Sequence, residues 1–186
     1  MTLDNLKRAL TKRFRKGRIE GADIEAQWLI EHVLGYSASD IIVRGDEAVP
    51  GLQIDRITAL AERRLSREPL DHILGYREFY GRRFNISKDV LSPRPETEGL
   101  AAEALRVLKP VDRPDILDLG TGSGAIIITL LAERAEARGL AVDLSLKALD
   151  VAKANAQRHD VSGRLGFESG SWFDPVSGMF DLIVSN

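Results

Sequence analysis

The 186-residue sequence predicts an α/β protein: a parallel sheet built from βαβ units, preceded by a small helical bundle and a β-hairpin linker. Three observations predict it. Residues 1–74 carry apolar side chains at helical spacing, residues 75–92 place aromatic and β-branched residues around Gly81, and from Asp115 onward apolar runs alternate with helical segments. The sharpest local signal lies in that last part, where Gly120, Gly122 and Gly124 follow a short apolar strand and precede a helix.

Leu3, Leu6, Leu10 and Phe14 define the apolar face of a first helix, whose other side carries Lys7, Arg8, Lys12, Arg13, Arg15 and Lys16. Ile24, Trp28, Val33 and Leu34 predict a second helix ending near Gly35. Ile54, Ile57, Leu60, Ala61 and Leu65 predict a third that stops before Pro69. Tyr76–Val90 reads as the hairpin, and the two prolines of Ser92–Glu98 precede a helix running to about Leu108 with acids in its first turn. Ile116–Leu119 is then a buried strand, Ala125–Ala137 a helix, Leu140–Val142 a strand ending at Asp143, and Leu146–Arg158 a helix. Arg164–Glu168 and Phe180–Ser185 are two further strands.

Composition removes several function classes. A formal net charge of −2, from 26 basic and 28 acidic residues, demands neither a polyanion nor a membrane surface. The absence of cysteine excludes disulfides, thiolate zinc sites and Cys nucleophiles, and fits a reducing compartment. His32, His72 and His159 lack metal-ligand spacing, so no metal is expected. No stretch approaches the roughly 18 consecutive apolar residues of a membrane span. A cytoplasmic monomer is the expectation. The basic side of the first helix reads better as a docking face for a protein partner than as a nucleic-acid patch.

The loop Asp118-Leu119-Gly120-Thr121-Gly122-Ser123-Gly124-Ala125 lets the backbone turn tightly and approach a nucleotide-like ligand at a helix N-terminus. Gly120-x-Gly122-x-x-Ala125 also satisfies the relaxed dinucleotide pattern, so the flanking residues must discriminate. Asp118 does so, because a carboxylate there would repel a pyrophosphate yet attract the ammonium of S-adenosylmethionine (SAM), directly or through water. Asp143, about 20 residues beyond the loop at a strand end, suits ribose hydroxyls, with helix capping before Ser145 as the competing reading.

Glu68-Pro69-Leu70 with Ile73-Leu74-Gly75, Arg77–Gly81, Ser92–Glu98, Asp118–Gly124 and Asp181–Asn186 stand in order along the chain. In these runs the sequence resembles the HemK-like (PrmC) protein-(glutamine-N5) methyltransferases of peptide chain release factors. The resemblance implies a helical substrate-docking domain over 1–74, a β-hairpin linker over 75–92, and a Rossmann-like SAM-dependent methyltransferase domain with an incomplete parallel sheet over 93–186. It implies methyl transfer to the glutamine of a Gly-Gly-Gln motif in a release factor, in translation termination. By the same resemblance Arg94, Pro95 and Glu96 lie over the substrate, and Asn186 matches the Asn that opens an Asn-Pro-Pro-Tyr motif, gripping the glutamine amide and bordering the cofactor. The cofactor set is then Asp118, Gly120, Thr121, Gly122, Gly124, Asp143, Ser171, Trp172 and Asn186.

Two departures accompany the resemblance. The family commonly has an acid after its third strand to reach the adenine amino group, where this chain has Ser171; Trp172 and Phe173 beside it read more readily as core than as a ligand stack. The chain also stops at Asn186, implying a C-terminally truncated form whose Phe180–Ser185 strand is an exposed apolar edge and whose turnover is low or absent. Two other functions compete: a nucleic-acid amino methyltransferase, which uses a similar Asn-Pro-Pro motif, and a non-catalytic SAM-binding or docking module.

Overall fold

The computed structural model describes all 186 residues and divides into two compact units, Met1–Leu74 and Gly75–Asn186.

The first unit is helical. α1 (Leu3–Lys16) starts at Thr2, whose hydroxyl accepts the N–H of Asn5, and buries Leu3, Leu6, Leu10 and Phe14. α2 (Ala22–Leu34) lies between Gly21 and Gly35, both left-handed. Its inner face differs from the sequence expectation: Ala22, Ala26, Leu29 and Ile30 are buried, whereas Ile24 and Trp28 are exposed and Val33 and Leu34 only half-buried. Small alanines allow close helix approach and outcompete the bulkier residues for the inner face. α3 (Ala38–Val43) begins with a capping box between Ser37 and Asp40, and that bonding from Ser37 holds the Asp40 carboxyl below its usual range. α4 (Gly51–Leu65) and α5 (Leu70–Leu74) follow. A bidentate, largely shielded ion pair joins Arg64 of α4 to Glu25 of α2 at 2.6 and 3.1 Å.

The second unit opens with a hairpin, β1 (Tyr76–Phe79) antiparallel to β2 (Arg82–Asn85). Its two-residue turn, Tyr80-Gly81, has both φ values positive, the mirror-image turn whose twist suits a hairpin. Phe79 and Phe84 sink into the core of this unit with Ile116, Ile127, Leu130 and Val184. After α6 (Thr97–Leu108) come β3 (Asp115–Leu119), α7 (Ala125–Glu133), β4 (Arg138–Asp143), α8 (Leu146–Arg158), a 3-10 turn over Ser162–Arg164, β5 (Leu165–Ser169) and β6 (Leu182–Ser185). The four strands are parallel, in the order β5-β4-β3-β6. Successive connections run from β3 outward to β5 and then cross to the other side of β3, so the sheet has its switch point between β3 and β6.

Several boundaries differ from the sequence reading, among them that of β6, which starts at Leu182 instead of Phe180. α7 stops at Glu133 instead of Ala137, because Arg164 donates to the carbonyls of Leu131, Arg134 and Ala137 and turns the chain into β4. β4 therefore starts earlier, at Arg138, with Gly139 admitted where a Cβ would stand 2.8 Å from Ile127. β5 is displaced by one residue because Arg164 closes the 3-10 turn. β6 borders the sheet; Val184 is buried while the apolar Ile183 on its other face is half exposed, so only one face of this strand is covered.

Candidate functional site

Because β3, β4, β5 and β6 are parallel, their carboxyl ends share one edge of the sheet, and the sequence-selected residues collect there. Leu119 leads into the glycine loop, Asp143 ends β4, Ser171 and Trp172 follow β5, and Asn186 follows β6.

The loop is held at both ends. The N–H groups of Gly120 and Thr121 donate to the Val142 carbonyl at 2.8 and 3.0 Å, and that of Gly124 to the Thr121 carbonyl at 2.8 Å. Gly120, Gly122 and Gly124 all have positive φ. They do different jobs: Gly124 caps α7 where a Cβ would strike Ile128 at 2.6 Å, whereas Gly120 and Gly122 face open space. A ligand can therefore approach the backbone at Gly120 and Gly122 without meeting a side chain.

Asp118 lies beneath this loop and is 1% exposed. Its Oδ2 accepts the Thr121 hydroxyl at 2.8 Å, and the Ile127 N–H also donates to the carboxylate. Burial pushes its pKa from 3.8 up to about 6 against those two bonds, with the nearby Asp143 charge adding to the rise. No ion pair joins it to an arginine or lysine, so the carboxylate is a dry, uncompensated negative site. Asp143 is half-buried: its Oδ2 accepts the Gly122 N–H at 2.8 Å and its Oδ1 the Ser145 N–H at 2.9 Å. Asp143 thus braces the loop and the approach to α8 while each oxygen keeps a lone pair for a ligand, but it does not cap the helix as the competing reading had it. The cap of α8 proper is Ser145, whose hydroxyl accepts the Ala148 N–H at 3.3 Å.

On the β6 side, the Asn186 side chain meets the buried Thr97 hydroxyl at 2.9 Å, which brings the end of β6 against the first turn of α6. Arg94, Pro95 and Glu96 immediately precede that turn and are exposed. The Tyr80 N–H in the hairpin turn donates to Glu98 Oε1 at 2.9 Å, fastening the hairpin to α6. Trp172 and Phe173 correct the sequence reading: they are 64% and 54% exposed, not core, because the chain turns out after Gly170 with Trp172 in a left-handed conformation. Ser171 is likewise exposed. Sequence reasoning missed Asn155 and Thr97, two buried polar residues. Asn155 carried no signal beyond sitting among alanines on the inner face of α8.

A parallel sheet with a glycine loop after its first strand, a buried acid under the loop and a second acid at the next strand end defines a Rossmann-like methyltransferase domain. Residues 101–186 match the family described as methyltransferase small domain, and residues 5–75 match the PrmC N-terminal domain. The two matches follow one another along the chain, the PrmC N-terminal domain first and the methyltransferase small domain after it. The chain is 45% identical over 166 residues to a release factor glutamine methyltransferase of Neisseria gonorrhoeae, covering 88% of this chain and 59% of that protein. It is 41% identical to the protein of the same name in Agrobacterium fabrum, covering 96% of this chain and 63% of the relative. The chain therefore spans about three fifths of the length of these curated relatives. Among solved structures, a ribosomal protein L11 methylase of Lactobacillus delbrueckii subsp. bulgaricus is 25% identical with a TM-score of 0.47, covering 59% of this chain and 56% of that one.

Proposed function

We propose that the protein is a SAM-dependent methyltransferase acting on the side-chain amide of the glutamine in a Gly-Gly-Gln motif of a peptide chain release factor. The observation that carries the cofactor reading is the uncompensated carboxylate of Asp118 below a glycine loop that opens outward at Gly120 and Gly122. A ligand with a cationic amino-acid end fits this set, and a pyrophosphate does not, since the Asp118 carboxylate lies directly beneath the loop. SAM supplies a sulfonium-bound methyl group, the electrophile an amide nitrogen needs.

This chain's own residues bind and orient. Asp118 would attract the cofactor ammonium, directly or through water, and Asp143 would accept from ribose hydroxyls. Gly120, Thr121, Gly122 and Gly124 form the cradle, and Ser171 and Trp172 border the adenine side. Asn186 would accept from the glutamine NH₂ and aim its nitrogen, while Arg94, Pro95 and Glu96 form the exposed rim before α6. An amide nitrogen is a weak nucleophile, so alignment is the main lever. In well-oriented systems it supplies on the order of 7–11 kcal/mol.

In this reading Met1–Leu74 is the docking part, residues 75–92 the hairpin linker and 93–186 the catalytic part, in a cytoplasmic monomer that works in translation termination. The sequence similarity to release factor glutamine methyltransferases across both domains supports the substrate class. Titration calorimetry with SAM and with NAD tests the cofactor half; binding of SAM but not NAD is expected, and the reverse would overturn it. Transfer of labelled methyl to a release factor, lost when the Gly-Gly-Gln glutamine is replaced, tests the substrate half.

A further inference from the structure

Beyond the residues already given roles, Asn155 on α8 keeps its side chain wholly out of water. Both ends of its amide are bonded. Oδ1 accepts the Asn85 N–H at 2.7 Å, and Nδ2 donates to the Asn85 carbonyl at 3.1 Å and to the Ser123 carbonyl at 2.8 Å. Those partners fix the orientation of the amide, because an N–H must face its oxygen and two carbonyls its nitrogen. All three are backbone groups, so no other side chain replaces them.

The two ends of this clamp matter. Asn85 closes β2 of the hairpin, and Ser123 lies in the glycine loop between Gly122, held by Asp143, and Gly124, the cap of α7. The hairpin in turn reaches α6 through Tyr80 and Glu98, and the neighbouring Thr97 meets Asn186. Helix α8 touches β2 a second time where the His159 ring lies 3.0 Å from the Arg83 carbonyl and against Phe84. A leucine at position 155 would fill similar volume for simple helix-to-hairpin contact but leave one N–H and two carbonyls buried and unpaired. An amide there ties the loop to the hairpin.

We propose that Asn155 is a positioning residue that locks the β-hairpin to the glycine loop, so that the cofactor-binding loop conformation and hairpin order form one equilibrium. The inference rests on reading the loop as the SAM site. Linkage then requires that cofactor binding at the loop protect the hairpin, and that loosening the clamp weaken the cofactor.

Hydrogen exchange of the full chain with and without SAM tests the first half on the unmutated protein: the Asn85 N–H should exchange more slowly with SAM, together with the Gly122 N–H. SAM titration tests the second half, with Asn155→Asp expected to raise Kd about tenfold. Leu165→Ala, at the opposite edge of the sheet, serves as a control that lowers Tm while leaving Kd unchanged. Loop protection without a change at Asn85, or equal Kd in the wild type and Asn155→Asp, overturns the inference but leaves the cofactor reading intact. Failure of the wild-type chain to bind SAM overturns both. If Asn155→Asp does not fold, the exchange result on the wild type decides.

Discussion

The helical unit Met1–Leu74 and the sheet unit Gly75–Asn186 solve the same problem differently. In the first, every buried side chain is apolar, and the polar side-chain bonds, the shielded Arg64–Glu25 pair included, are made by residues that stay exposed or only partly buried. All six buried polar residues, Thr97, Asp118, Thr121, Ser123, Thr129 and Asn155, belong to the second. Dry polar groups cost stability unless they are bonded, so their concentration in one unit marks where stability has been traded for a site. Thr129 carries the clearest cost, since its buried hydroxyl has no partner.

That contrast can be broken by mutation. The largest effect is expected at Phe14, fully buried in the helical unit: Phe14→Ala should cost about 3–5 kcal/mol in denaturant unfolding while the folded fraction keeps its SAM affinity. Asp118→Asn should do the opposite on both counts, abolishing SAM binding and stabilising the chain near pH 8. The sign follows from the raised pKa. A buried acid whose folded value is about 6 contributes stability in full below its ordinary 3.8 and loses it as pH rises through about 6. The difference corresponds to about 3 kcal/mol. Urea midpoints across pH 4–8 should therefore fall with rising pH in the wild type and lie flatter in Asp118→Asn. Removing the α8 cap with Ser145→Ala should cost about 1 kcal/mol, seen as a small drop in Tm. The exposed Arg106–Glu103 pair is the smallest case, and Arg106→Ala should leave Tm unchanged.

The two units were also unequally legible in sequence. Strands β3 and β4, the glycine loop, Asp118 and Asp143 were readable because short apolar runs, glycines and acids each have few structural uses at those places. α2 was readable as a helix, but its inner face was not, since alanines win close contact without advertising it in a hydrophobic pattern. α3 and α5, six and five residues long, lack enough turns for periodicity to emerge. Trp172 and Phe173 misled because large aromatics usually bury, and only the backbone turn after Gly170 exposes them. Asn155 was invisible for the converse reason: an asparagine within a helix reads as a solvated residue until its three backbone partners are known.

The central claim is that the dry carboxylate of Asp118 answers a cationic ligand group. It is tested most directly by the protons that accompany SAM binding, measured by calorimetry near pH 6 in buffers of different ionisation enthalpy. At that pH the Asp118 carboxyl is about half protonated, and an ammonium brought near it would expel the proton. The account predicts net proton release on binding to the wild type and none on any residual binding to Asp118→Asn. SAM binding of equal strength in both proteins, with no proton released by either, would contradict it.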